Sequence, residues 1–401
     1  MLEFDDAQNR LAQAGAAPES TETIALHQAP GRVLAHNITA VLDLPPADNS
    51  AMDGYAVRHV DLKPAAVFPI QQRCYAGDTP QALQPGKAIR LYTGSLLPQG
   101  ADTIIMQEDA SEDGDTVRFR VTPAKGSHVR WRGEDVNRNT RLLAKGTRLG
   151  AGEIALLASQ GLARLEVCPA LRIGILTTGD ELVAPGQPRG EQEIYNANGP
   201  MLAAMAQAMG VGHVRLAHAR DDEGEIAGAF RALQADSDII LSVGGVSVGD
   251  KDLVKPVLEQ LGAELALWRV RMKPGRPVAL AHLDTTPVVG LPGNPVSAFV
   301  VFALLVSPLI RRMQGRSELM PAVHYGRLIT TRRFGSSREE FIRVQLRHTP
   351  EDRPELIPHA DQGSAIISSL SWADGLARIP ADGQAVGGDT VAFYPFAGWL
   401  S

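Results

Sequence analysis

Cysteine is scarce in this chain: two residues, Cys74 and Cys168, in 401. They stand far apart in no CxxC pair, so neither a disulfide framework nor a thiolate zinc site is indicated. The ten histidines are scattered and no HExxH occurs, which removes a common zinc-hydrolase signature. No apolar run reaches the roughly 20 residues that cross a bilayer. The longest, 298–310, is broken by Ser307 and Pro308 and reads as a buried helix. The opening MLEFDDAQNR is acidic and polar, unlike a signal peptide. A basic excess is also missing. The net charge is -6, which argues against nucleic acid as the main partner. A soluble cytoplasmic protein is expected, and an anionic substrate would need a local cationic pocket.

What is present is ordinary globular material, 44% hydrophobic and 21% charged, long enough for two to four domains at roughly 100–200 residues each. Residues 1–20 contain a short amphipathic helix. Residues 21–45 and 137–170 read as an extended connector, the second part including a helix near 154–159. Residues 46–136 alternate short β-like runs (66–70, 88–92, 103–106, 116–121) with Gly, Pro and Asp turns, predicting a small, mostly β domain. From 171 to 316 strands and helices alternate: RIGILTT, GPMLAAMAQAMG, HVRLAHA, EIAGAFRALQA, DIILSV, DLVKPVLEQLG, ELALWRVRM, PVALAHL, TPVVGL and a long apolar helix. Near-continuous apolar strands alternating with helices predict a doubly wound, mostly parallel α/β sheet. Residues 317–401 return to short strands (HYGRLIT, EEFIRVQL, GLARIP, TVAFYPF), predicting a C-terminal β-barrel or sandwich.

Doubly wound sheets bind ligands at the carboxyl ends of their strands, and polar residues collect there. TTGDE (177–181) follows the first strand and Arg220-Asp221-Asp222 the second. GGVSVGDKD, with Gly244, Gly245, Ser247 and Asp252, follows the third. WRVRMKPGRP, with Arg269, Lys273 and Arg276, comes later. GLPGNPVS, with Pro292, Pro295 and Ser297, ends the last. Glycines let backbone N–H groups approach an anion, and a helix start adds partial positive charge. The GGVSVG loop is neither a Walker A loop nor GxGxxG, and a tight turn without a ligand fits it as well. Pro295 suits the first helical position, so the first turn beyond it, with the Ser297 hydroxyl, suits an oxyanion; a rigid packing connector is the alternative. Glu181, Asp221 and Asp252 are hard oxygen ligands of the kind Mg²⁺ takes, or else helix caps and solvated loop acids. Arg269, Lys273 and Arg276 would offset phosphate charge. In the β region, DNSAMDGYAV holds Asp48 and Asp53, YTGSLLPQGAD holds Thr93, and RWRGED holds Arg130, Glu134 and Asp135. Each alone reads as a turn.

Together, LPPADNSAMDGYAVR, YTGSLLPQGADTIIMQED, RGEDV, ILTTGDELV, IYNANGPML, SVGGVSVGDKD, MKPGRP, GLPGNPVS and QGSAIISSLSWADGLARIP span nearly the whole chain. In this order they resemble the molybdopterin molybdenumtransferase family, which includes MoeA and the gephyrin E domain. The resemblance implies an elongated four-part subunit whose α/β domain is like that of molybdopterin adenylyltransferases, and a homodimer. It also implies a cleft between the α/β domain of one subunit and the β domain of the other. Asp53, Thr93, Arg130 and Asp135 would reach across the dimer. Glu181, Asp221, Asp252, Arg269, Lys273, Pro292, Pro295 and Ser297 would line the main pocket, and Ser364 would border it. The implied reaction inserts molybdate into adenylated molybdopterin with Mg²⁺-dependent release of AMP. Arg269, Lys273 and Ser297 would hold molybdate. A molybdopterin adenylyltransferase and downstream molybdoenzyme maturation proteins would be partners; nucleic acid and membrane would not. Departures from the family pattern are Ala47 for a frequent aromatic, Arg269 for a Lys in some members, and Arg276 for the second Lys of KPGKP. None removes a carboxylate. An adenylyltransferase of the neighbouring step and a gephyrin-like scaffold are the alternative functions, and tungstate competes with molybdate as the metal oxyanion.

Overall fold

In the computed structural model, the apolar run RIGILTT forms the strand Arg172–Thr178 inside a six-stranded sheet. The order across the sheet is His213–Ala219, Arg172–Thr178, Ile239–Val243, Thr286–Leu291, Pro277–Leu283, Glu264–Arg269. The first four strands run parallel, and the last two join antiparallel at one edge. Successive side chains take opposite faces. Ile239, Leu241 and Val243 therefore enter one core with Ile173, Ile175 and Leu291. Ile240 and Leu176 enter the other core, against Ile226 and Phe230 of the helix Glu223–Gln234 and Val257 of the helix Val254–Gln260. Both faces are covered, as a doubly wound sheet requires.

The structure describes residues 1–245, 253–349 and 353–401. They divide into two compact units: Met1–His36, Lys145–Gly150 and Arg164–Ser401 in one, Asn37–Ala144 and Ala151–Ala163 in the other. In the first unit the helix Phe4–Gln13 puts Phe4, Ala7 and Leu11 into the core that holds Phe302, Leu305 and Leu309. The long apolar helix expected over VSAFVVFALLVSPLIRRM is present. It extends over Pro295–Met313, 19 residues, long and apolar enough to cross a membrane, yet 89% of its most apolar window is buried inside the protein. It is a core helix. Pro308 does not end it: a π-turn, Phe302–Val306, lies just before, and the Leu304 carbonyl that proline cannot bond accepts Gln8 Nε2 at 2.7 Å while the Ala303 carbonyl accepts the Ser307 hydroxyl.

The same unit carries a closed barrel of five strands: Glu339–Arg347, Glu355–Pro358, His324–Leu328, Thr390–Pro395 and Gly375–Ile379, with the last pairing back to the first. Glu355–Pro358 is absent from the sequence expectation. It is four residues long, preceded by Pro354 and ending on Pro358, too short and interrupted for a period-2 signal.

In the second unit the sheet order is Thr103–Met106, Gly54–Val57, Ala88–Leu91, Val67–Cys74, Thr116–Phe119, Ala110–Asp113. The segment GYAV, read from sequence as part of a turn, is instead a strand bonded on both sides. Gly54 makes this possible: a Cβ there would sit 2.2 Å from the Ile105 carbonyl oxygen.

Candidate active site

A cavity of about 630 Å³ lies at the carboxyl ends of the strands Arg172–Thr178 and Ile239–Val243. From the first of these the chain winds outward in one direction to His213–Ala219, and the rest of the sheet extends in the other. This is the switch point, where doubly wound sheets open a crevice. Thr177, Thr178 and Glu181 form one wall, Asn196 and Asn198 a second, Gly244 and Gly293 to Pro295 a third, and Ala365 and Ile367 of the barrel region a fourth.

Local chemistry explains the shape. Gly244 has φ +94°, and a Cβ there would lie 2.9 Å from Thr178 Oγ1 and 3.0 Å from its carbonyl oxygen. Only glycine fits this turn without displacing the strand end. Gly244→Ala is therefore expected to lose about 1–3 kcal/mol of stability, measured as the shift of the unfolding midpoint; an unshifted midpoint would show that the turn tolerates a side chain. Pro295 occupies the first turn of the helix Pro295–Val301, and Asn198 Nδ2 donates to the Gly293 carbonyl at 2.7 Å, tying the helix Asn198–Ala208 to the GNP loop.

The sequence-expected residues divide. Glu181, Gly244 and Pro295 line the cavity. Ser364 borders it through its backbone: its carbonyl accepts the Val296 N–H at 3.2 Å. That N–H belongs to the first helical turn expected to hold an oxyanion, so one donor there is already engaged. Gly245 follows in left-handed conformation, φ +63°, and Pro292 and Ser297 are buried beneath the loop. Asp221 stands on the neighbouring loop, its N–H bonded to Asp180 Oδ1 at 3.1 Å, while Asp222 caps the helix Glu223–Gln234 through Glu225 N–H. Arg269, Lys273 and Arg276 are not among the cavity's lining residues. Lys273 Nζ lies 2.8 Å from Glu340 Oε1 on the barrel strand, so its charge is already matched within the chain. Ser247 and Asp252 lie outside the described residues.

Among the described residues there is no group of three or more metal-capable side chains. Glu181 at the cavity and Asp221 beside it still suit Mg²⁺, which keeps several waters and binds through one or two carboxylates plus substrate phosphates rather than a protein cage.

In the second unit three polar motifs meet. Ser50 N–H bonds Ser95 O, Gly94 N–H bonds Ser50 O, and Ala51 N–H bonds His128 O, each at 2.9 Å. Asn49 pairs with Arg130, and Asp48 Oδ1 accepts Arg132 N–H at 2.8 Å. Asp53 Oδ1 accepts both the Thr93 N–H (2.8 Å) and hydroxyl (2.7 Å). Asp53, Thr93 and Arg130 are thus carried by loops stitched into one surface; Asp135 is exposed nearby in sequence, its N–H held by Leu44 O. The Thr93 N–H, then its hydroxyl, hold the Asp53 carboxyl below the ordinary 3.8. A depressed carboxylate stabilises the fold above its unfolded pKa and loses that contribution as pH falls through the folded value. An NMR titration should place Asp53 below 3.8 and return it part of the way toward that value in Thr93→Ala, which removes the hydroxyl but keeps the N–H; equal titration in both proteins would show that the N–H alone depresses the carboxyl.

Sequence reading missed three residues. Arg90 lies between the rings of Tyr55 and Tyr92, 4.9 Å from each centroid, under the Thr93 loop. Arg343 has no exposed surface and holds the loop that leads to Ser364. Asn198 sits in the quoted IYNANGPML. The first two are lone arginines in β-like runs, with no local signal that they would be buried.

An open α/β sheet with a cavity at its switch point and two helix starts beside it defines a ligand-binding α/β protein, here fused to a barrel and a β unit. Residues 2–161 match the family profile of the MoeA N-terminal region (domain I and II). Residues 174–312 match that of a probable molybdopterin binding domain, and residues 325–396 that of the MoeA C-terminal region (domain IV). The chain is 34% identical over 401 residues to the molybdopterin molybdenumtransferase of Haemophilus influenzae, covering 99% of both. It is 38% identical over 309 residues to that of a Nostoc species, covering 75% of this chain and 71% of the relative. The molybdopterin biosynthesis MoeA protein of Pyrococcus horikoshii, 28% identical, superposes with TM-score 0.82 over 98% of this chain and 100% of its own. The chain belongs to the molybdopterin molybdenumtransferase family, and is a transferase of molybdenum cofactor biosynthesis.

Proposed function

We propose that the chain inserts molybdate into adenylated molybdopterin and releases AMP. The observation that carries this reading is the switch-point cavity, whose about 630 Å³ falls in the range that encloses a cofactor-sized ligand. Residues of five separate segments converge on it, among them Glu181, Asn198, Gly244, Pro295 and Ile367. The start of the helix at Pro295 lends partial positive charge to a bound oxyanion. Thr177 and Asn196 are bonded to each other at 2.8 Å, so that wall is set before substrate arrives. Formation of two Mo–S bonds from the dithiol releases two S–H protons, which leave with one molybdate oxygen as water; a water in turn attacks a phosphorus of the phosphoanhydride, and the P–O–P bond breaks to give AMP and the pterin phosphate. Mg²⁺, held by Glu181 and Asp221 together with substrate phosphate, would supply charge neutralisation at the phosphoanhydride. We place the activity in a cytoplasmic homodimer, in which the Asp53–Thr93 surface of one protomer serves the cavity of its partner. The adenylated substrate would come from a molybdopterin adenylyltransferase, and the product would pass to molybdoenzyme maturation proteins. The family membership and the exposure of that surface support this arrangement.

The test is AMP release from adenylated molybdopterin, with and without micromolar molybdate and Mg²⁺. Molybdate-dependent release with formation of active cofactor is the expected result. No release from a folded dimer would overturn the reading. Substituting tungstate in the same assay reads the oxyanion preference.

A further inference from the structure

Asn198 lines the cavity and carries an acceptor that no described group satisfies. Asn198 Nδ2 donates to the Gly293 carbonyl at 2.7 Å. A carbonyl accepts only from the NH₂ side of an amide, so this bond fixes which way the side chain points. Oδ1 is left buried, with no hydrogen-bond partner among the described residues. The neighbouring amide is the reverse case. Asn196 Nδ2 donates to Thr177 Oγ1 at 2.8 Å and its Oδ1 accepts the Gly199 N–H at 3.1 Å. Two amides therefore line one cavity, one bonded at both its nitrogen and its oxygen, the other at its nitrogen alone.

An unpaired buried acceptor costs on the order of 1–3 kcal/mol, a cost that a ligand N–H removes. The other groups around it narrow the ligand class. Leu182, Ile194 and Ile367 present apolar surface to the same cavity. A flat ring with an N–H edge matches this lining; a ring that turns a carbonyl toward Asn198 would set acceptor against acceptor.

We infer that Asn198 Oδ1 accepts a hydrogen bond from the exocyclic amino group of a planar aminoheterocycle, making Asn198 a specificity-determining residue of the cavity. The identity of that ring rests on the proposed substrate, which carries two such groups, the 2-amino group of the pterin and the 6-amino group of the adenine. The Asn198 assignment itself rests on the geometry.

Two matched ligand pairs test it by calorimetry on the full chain: a pterin monophosphate against its 2-oxo lumazine counterpart, and AMP against inosine monophosphate. In the unmodified protein one pair should be discriminated by about tenfold or more in favour of the amino form, and the pair that responds identifies the ring. Asn198→Ala should bring that ratio to about twofold or less. Asn198→Asp separates the two jobs of the side chain, because it keeps an acceptor and lacks the N–H for Gly293. It should retain the amino preference even where overall affinity falls. If the Asp variant loses the preference as fully as the Ala variant, the residue acts only by tethering the Gly293 loop and the inference fails. It fails equally if the Ala variant keeps the preference, or if neither pair is discriminated. The measurement needs no turnover. A chain that shows the preference but releases no AMP keeps this inference and loses the proposed function; the converse result does the opposite.

Discussion

Glu181→Gln should lower molybdate-dependent AMP release by about a hundredfold or more without changing the fold. The side chain is exposed at the cavity wall, so exchanging its carboxylate for an amide of the same size disturbs no packing. Its position is nonetheless constrained. Gly179, at φ +144°, leaves room for it: a Cβ there would be 2.5 Å from Glu181 Oε2. The charge is what the substitution removes, and in the proposed reaction charge is what a phosphoanhydride with its Mg²⁺ requires. The loss should appear in kcat and deepen as Mg²⁺ is lowered. A Gln variant with an unaltered rate across the Mg²⁺ range would take Glu181 out of the reaction and shift attention to Asp221. A variant with reduced affinity and unaltered kcat would make Glu181 a ground-state binding group.

The second large effect concerns stability. Arg343 is fully buried on the barrel strand Glu339–Arg347, and no carboxylate is among its hydrogen-bond partners in the described residues. Its Nε donates to Ser369 Oγ at 2.9 Å, Nη1 to Gln362 O at 3.0 Å, and Nη2 to Asp361 O at 3.1 Å and Gly363 O at 3.0 Å. Burial pulls its pKa down to about 10, still far enough above neutrality to keep the charge. One side chain thereby gathers residues 361–369 into a fixed loop, and that loop supplies Ala365 and Ile367 to the cavity and the Ser364 carbonyl to Val296. Arg343→Met should cost about 3–5 kcal/mol, because it leaves several buried acceptors without donors. The cost is read from the unfolding midpoint, and hydrogen exchange at 361–369 should rise in step. Since the loop walls the cavity, substrate KM should rise more than kcat falls. An unchanged midpoint with unchanged exchange would show that the loop is held by its own packing.

Fold and site were legible to different degrees. The α/β domain was readable because buried parallel strands are apolar throughout and their helices keep a 3.6-residue period. RIGILTT, DIILSV and EIAGAFRALQA announce themselves. The turn motifs were readable as motifs because proline restricts the backbone and glycine marks turns that other residues enter only with strain, as at Pro295 and Gly244. Strand Gly54–Val57 was not readable, since its identity comes from neighbours at 88–91 and 103–106 and not from any period of its own. The same holds for Glu355–Pro358 in the barrel.

The sequence by itself determined the class of fold, the family, and which loops carry polar residues, because those depend on local pattern and on the order of motifs along the chain. Tertiary structure decided which of those residues meet. It set Lys273 against Glu340 and kept it off the cavity wall. It brought the Val296 N–H to the carbonyl of Ser364, 68 positions away along the numbered chain. It left one oxygen of Asn198 buried and without a partner among the described residues. The reason is physical: whether a charge, a donor or an acceptor is available to a ligand depends on what else lies within about 3 Å of it, and contacts across such sequence distances are made only when the chain folds.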